Sequence, residues 1–263
     1  MPFETRNPKL TPFTVNPRRL LSLLLLLSLT GCATLHGERD PRDPWESFNR
    51  GMHDFNTDLD NKILKPVAEG YVKVVPQTAR TGVSNFFSNL DDVVVLANDL
   101  LQFKFRQAAA DFSRLIWNTT VGLAGLIDVA TPMGLTKHDE DFGQTLGHWG
   151  VGSGPYLVLP FLGPSSLRDG TGRAVDYTQF NVTTTAQSDT TRYTLLGLNV
   201  VDTRAGLLHT THLLEQGALD PYLFIRESYL QMRQNLVYDG NPPAPELNFD
   251  DFEDLPPDEP PAQ

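Results

Sequence analysis

Trp45, Phe48, Met52, Phe55, Leu59 and Ile63 recur at spacings of 3, 4, 3, 4 and 4. That places six large apolar side chains on one stripe of a helix, with Glu46, Arg50, Asp54, Asp58 and Lys62 elsewhere on its circumference. Asp43-Pro44 predicts an N-cap followed by proline at the first helical position, and Lys65-Pro66 predicts the end of the helix. Shorter helices are predicted over 66–75, 77–89 and 91–102, separated by Pro76 and by Asn89-Leu90-Asp91. Phe105, Ala109, Phe112, Leu115, Ile116 and Thr119 keep helical spacing over 105–121. Two late helices are predicted over 191–214 and 221–238; Asp220-Pro221 repeats the cap-then-proline signature and Gly240 follows the end.

The character changes between these groups. Residues 121–127 are apolar and punctuated by glycine, and residues 143–163 hold six glycines, three aromatics and no charge. No alternating pattern of useful length predicts a strand, so the fold class is mainly α. After Cys32 no apolar run approaches the eighteen residues that a spanning helix requires. The repeated ten-residue alternation of a membrane barrel is not present either.

The amino terminus reads differently. Arg18 and Arg19 precede an apolar run from Leu20 to Leu29, and Thr30-Gly31 supplies the small residues of a cleavage site. These are the three parts of a secretory signal peptide, too short to span a bilayer. The single cysteine, Cys32, follows directly. It cannot form an internal disulfide, and its position resembles the bacterial lipobox, in which that thiol receives a diacylglycerol. The predicted organisation is a signal peptide at 1–31, a lipidated linker at 32–42, a helical domain at 43–240 and an acidic tail at 241–263. Seven carboxylates, seven prolines and no basic residue predict a disordered tail. Removing residues 1–31 moves the formal charge from −11 to −14. Such an acidic chain without a basic stripe excludes nucleic acid as a partner.

Candidate chemistry is sparse. Ser153, Ser165 and Ser166 lie outside any Gly-x-Ser-x-Gly elbow, which leaves a hydrolase without a nucleophile. His138-Asp139-Glu140-Asp141 with His148 matches no metal-ligand spacing and reads as a solvated loop. Gly150-Val151-Gly152-Ser153-Gly154 lacks the Lys-Ser/Thr of a phosphate loop. No catalytic, cofactor or metal site is predicted. What remains is amphipathicity beside a lipid anchor: an apolar stripe can enter a core or lie in the interfacial zone of a bilayer, and an anchored chain is already at that surface. The stripe Trp45, Phe48, Met52, Phe55, Leu59 and Ile63 is therefore predicted to face membrane. Gly147, Gly150, Gly152 and Gly154 are predicted to form a flexible gate, with a rigid turn as the alternative.

Asp43-Pro44-Trp45-Glu46-Ser47-Phe48-Asn49-Arg50, Lys65-Pro66-Val67-Ala68, Ile127-Asp128-Val129-Ala130 and Asp220-Pro221-Tyr222 resemble, in order, the MlaA/VacJ family of outer-membrane lipoproteins. The run Phe142-Gly143-Gln144-Thr145-Leu146-Gly147-His148-Trp149-Gly150-Val151-Gly152-Ser153-Gly154-Pro155-Tyr156 is the most specific. The resemblance covers about residues 43–235, while the Thr-rich stretch 176–192 departs from it. It implies a ring-like assembly of amphipathic helices in the periplasmic leaflet of the outer membrane, enclosing an amphipathic channel. It further implies a non-enzymatic role: phospholipids misplaced in the outer leaflet pass to a soluble periplasmic carrier of the MlaC type, beside a trimeric porin. A lipoprotein enzyme acting on phospholipids and a structural porin-associated lipoprotein are the alternatives.

Overall fold

The computed structural model describes residues 40–180, 188–217 and 219–243. The signal peptide, Cys32 and the tail beyond residue 243 lie outside the described residues, as does the stretch 181–187. In chain order the elements are α1 (Glu46–Leu59), α2 (Lys65–Val74), α3 (Gln77–Leu101), α4 (Phe105–Thr120), α5 (Phe142–His148), β1 (Tyr156–Leu159), β2 (Gly163–Ser166), α6 (Leu167–Val175), α7 (Asp189–Gly217) and α8 (Pro221–Val237). The chain is mainly α, and no described helix is long and apolar enough to cross a membrane.

Pro66 does not end the first helix. A π turn at Asp60–Leu64 joins α1 to α2, and the Lys65 amide reaches back to the Asp60 carbonyl. The widened turn just ahead of the proline absorbs the clash its ring would make with the preceding turn. Asp43 is not the cap either: the helix starts at Glu46, and the Asp43 carboxylate is buried. Nor do Asn89-Leu90-Asp91 break α3. Asn89 turns its amide outward from the helix to the Thr119 hydroxyl of α4 at 3.0 Å, so it bonds a neighbour instead of competing for its own backbone. Elsewhere the expected signals operate, as at α8, where the Asp220 carboxylate accepts from the Leu223 amide and caps the helix.

The chain also forms a small antiparallel hairpin where no strand was expected. Tyr156 pairs with Ser166 and Leu159 with Gly163. Four-residue strands are too short for alternation to register in the sequence. Tyr156 and Val158 point inward and, with Tyr222 and Tyr229 of α8, make the apolar centre, against which Met52 packs.

A polar interior under an exposed apolar surface

The inward face of α1 is the stripe Asn49, His53, Asn56 and Asp60, one helical turn apart, not the aromatic one. Asn49 is fully buried; its amide donates to the Asp43 carboxylate at 2.8 Å and to the Tyr156 carbonyl at 3.0 Å, and its oxygen accepts from the Val158 amide. Asn56 repeats this on Leu159 and Phe161. His53 meets the Tyr222 ring edge-on, and Asp60 pairs with Arg204 of α7 at 2.6 Å. Residues ahead of the helix join in: Asp40 and Asp43 both receive the Arg226 guanidinium, and Tyr222 donates its hydroxyl to Asp43.

The same inversion holds at α4. Its buried positions are Ala108, Asp111, Arg114 and Asn118, while Phe105, Phe112, Ile116 and Trp117 are exposed. Arg114 reaches the Thr131 hydroxyl and the Asp128 carboxylate, and Asn118 caps the backbone amides of Val129 and Ala130. Asp99 of α3 and Asp111 of α4 are both buried. Burial first, and then the neighbouring Asp111 carboxyl, pushes Asp99 up to about 8, so one proton stays in this seam at neutral pH. A third knot joins Asp169 to Arg168, Arg233 and the Tyr229 hydroxyl. Burial there opposes ionisation, but the two guanidinium groups and the hydroxyl outweigh it and hold Asp169 down to about 2.

Among the described residues ten apolar side chains are buried against 22 polar or charged ones, while thirty large apolar side chains are exposed. Water gives no reason for that arrangement, because it leaves aromatic surface wet and spends desolvation on the interior. Trp45, Phe48, Phe55 and Ile63 of the predicted stripe are exposed; Met52 and Leu59 are half-buried at its edge. Phe55 continues onto the hairpin tip through an edge-on contact with Phe161, which is 70% exposed.

The four candidate gate glycines separate by environment. They all border one cavity of about 600 Å³, also lined by Arg42, Arg168 and Arg233. Gly147 is a packing position, since a Cβ there would lie 2.8 Å from a Val237 methyl. Gly150 and Gly154 hold left-handed backbone at φ +90° and +67°. Gly152 has neither constraint and open space around it. The acidic run serves structure: His138 faces Asp111, Glu140 receives Lys104, and Asp141 caps α5 and pairs with Arg233. No metal-holding group of side chains occurs among the described residues. Ser166 caps α6. Sequence reasoning missed Asn49, Asn56 and Asp60; their helical spacing within the aromatic helix was the available signal.

Comparison with known proteins agrees with this geometry. The family model described as MlaA lipoprotein matches residues 41–236. A protein of Escherichia coli (strain K12) named intermembrane phospholipid transport system lipoprotein MlaA is 41% identical over 227 residues, covering 84% of this chain and 88% of its own. A protein of the same name from Haemophilus influenzae is 35% identical, with coverage of 84% and 90%. A solved structure reported as the structural basis for maintenance of bacterial outer membrane lipid asymmetry superposes with a TM-score of 0.66 at 37% identity, covering 76% of this chain and all of its own. Matched along its whole helical domain in sequence and in fold, the chain belongs to the MlaA lipoprotein family.

Proposed function

We propose that this chain removes mislocalised phospholipids from the outer leaflet of the outer membrane and passes them to a periplasmic carrier of the MlaC type. It works as a channel-forming lipoprotein anchored through Cys32, lies among the lipids of the periplasmic leaflet as a ring of helices, and is held beside a trimeric porin. The observation that carries this reading is the inversion of polarity: a hydrogen-bonded ionic interior under an exposed aromatic and aliphatic surface. A lipid-embedded transporter needs that combination, whereas a soluble binding protein does not. The names and fold of its relatives point the same way. The glycine segment beside the cavity acts as the gate, with Gly152 as its mobile point and Gly147, Gly150 and Gly154 setting its frame.

Deleting the gene and measuring phospholipid in the outer leaflet tests the proposal. Accumulation that the intact gene reverses is the expected result. An unchanged outer leaflet overturns it, and release of lysophospholipid or free fatty acid by the purified chain would move it to the enzyme reading.

A further inference from the structure

The cavity of about 600 Å³ beside the glycine segment is lined by three arginines, and they are spent differently. Arg233 commits all three of its nitrogens, to Asp141 and Asp169. Arg42 does the same with Asp40 and Glu227. Arg168 does not. Its Nε donates to Asp169 at 2.8 Å and its Nη1 makes a long bond of 3.4 Å to the Val151 carbonyl, but its Nη2 has no acceptor among the described residues.

Arg168 is only 8% exposed, so this is not a side chain trailing in water. An arginine carries five N–H donors in a rigid fork, and burying its charge is costly unless those donors are met. Asp169 grips the fork by its Nε edge and is itself filled by Arg233 and the Tyr229 hydroxyl, which leaves the far end of the fork unserved. Nη2 keeps its access to solvent, and the cavity is what it opens on. The rest of the wall limits what can sit there. Ser153, whose hydroxyl has no partner among the described residues, adds a second donor, and Val151, Leu230 and Val237 add apolar surface. The three guanidinium groups are each already matched by carboxylates, so the cavity does not collect anions by bulk charge; it offers one directed, charge-assisted donor group. That suits a singly charged oxyanion carried on an apolar body better than a small ion, which would surrender its hydration for a single contact. The glycine segment lacks the lysine of a phosphate loop, and here the cation comes from α6 instead.

We infer that this cavity is a headgroup site, in which the phosphodiester of a phospholipid lies against Nη2 of Arg168 and the Ser153 hydroxyl while its glycerol end runs along Val151, Leu230 and Val237. The inference rests on the phospholipid-transfer reading above and gives it a recognition residue. Arg168 also ties the site to the glycine segment, since its Nη1 reaches the Val151 carbonyl and its backbone amide donates to the Ser153 carbonyl at 3.2 Å.

The test uses the full chain in non-ionic detergent with a fluorescent phosphatidylethanolamine, displaced in turn by unlabelled phosphatidylethanolamine, by diacylglycerol of the same chains, by glycerophosphoethanolamine and by inorganic phosphate. The unlabelled phospholipid should displace the probe, and diacylglycerol should need about tenfold more. Arg168→Lys keeps a cation for Asp169 but removes the fork; it should weaken phospholipid about tenfold and leave diacylglycerol unchanged. Gln234→Trp, at an exposed position of the cavity wall, fills the space without disturbing Asp169 and should weaken both, and it decides the matter if Arg168→Lys loses its helical circular dichroism. Equal binding of phospholipid and diacylglycerol, or unaltered phospholipid binding in either folded variant, overturns the site. Displacement by inorganic phosphate or glycerophosphoethanolamine as effective as by the intact lipid overturns the lipid as ligand and assigns the cavity to a soluble phosphate. The two readings fail separately. If gene deletion raises outer-leaflet phospholipid while Arg168→Lys binds it as the unsubstituted chain does, the headgroup site alone falls; if phospholipid binds through Arg168 while deletion leaves the leaflet unchanged, the transfer reading falls and the site stands.

Discussion

The side chain of Asn49 donates to the backbone carbonyl of Tyr156 at 3.0 Å, binding two residues 107 positions apart. Together with the bond from the Val158 amide, it lets a helix satisfy the open edge of β1 as a neighbouring strand would. The apolar face of α1 is thereby turned away from the protein. One inward asparagine thus settles which side of an amphipathic helix meets the surroundings.

Asn49→Ala should cost about 3 kcal/mol, because it strands the Tyr156 carbonyl, the Val158 amide and part of the Asp43 carboxylate in a buried site. Asn56→Ala, whose equivalent bonds reach the more open hairpin end, should cost about 1 kcal/mol. Denaturant unfolding in mild detergent reads both. Equal costs would mean that the hairpin edge is not what Asn49 holds.

That asymmetry also explains what the sequence displayed and what it concealed. The stripe from Trp45 to Ile63 was legible because large apolar residues at helical spacing are rare by chance, and the cap at Asp220 because its chemistry is local. Asn49, Asn56 and Asp60 share one face just as regularly, yet a polar stripe reads as solvent-facing when the surroundings are assumed to be water. Pro66 misled for a related reason: a proline predicts a break only if the preceding turn is α, and here that turn is π. Arg168 is the chain neighbour of Asp169, but its other partners, Tyr229 and Arg233, lie in α8, joined by tertiary distance that no spacing encodes.

The Asp99–Asp111 seam should give stability an unusual slope with pH. Asp99 keeps its proton in the folded state up to about 8, whereas an unfolded aspartate loses it near its ordinary value of 3.8. The folded state then binds more protons between those limits, so stability is full below about 4 and falls as pH rises towards 8. Asp99→Asn, neutral at every pH, should raise the unfolding midpoint at pH 8 and leave it nearly unchanged at pH 4. A variant that gains equally at both would show that no proton is held there.

Phe48→Asp separates surface from core. Phe48 is 42% exposed, so the substitution should change stability in detergent by no more than about 0.5 kcal/mol. In vesicles a carboxylate at that position meets lipid and should weaken association by about 1 to 3 kcal/mol. Flotation and unfolding measured side by side make the comparison. Loss of stability in detergent with unaltered flotation would assign Phe48 to a packed seam.

The glycine segment offers the sharpest distinction between frame and gate. At Gly150 a proline would be forced away from φ +90°, so its failure would say nothing about motion. Gly152 has no left-handed angle and nothing within reach of a Cβ, so Gly152→Pro stiffens the chain at the one of the four positions where an added Cβ meets nothing and the backbone is not left-handed. Gly147→Ala does the reverse: it presses on Val237 and Arg168, costs about 1 to 3 kcal/mol, and leaves the loop free. If the segment gates lipid passage, Gly152→Pro reaches the outer membrane at normal abundance while phospholipid accumulates in the outer leaflet, and Gly147→Ala lowers abundance without changing transport per molecule. Normal outer-leaflet phospholipid in cells carrying Gly152→Pro would assign all four glycines to structure, because the least constrained of them would then be free to stiffen without consequence.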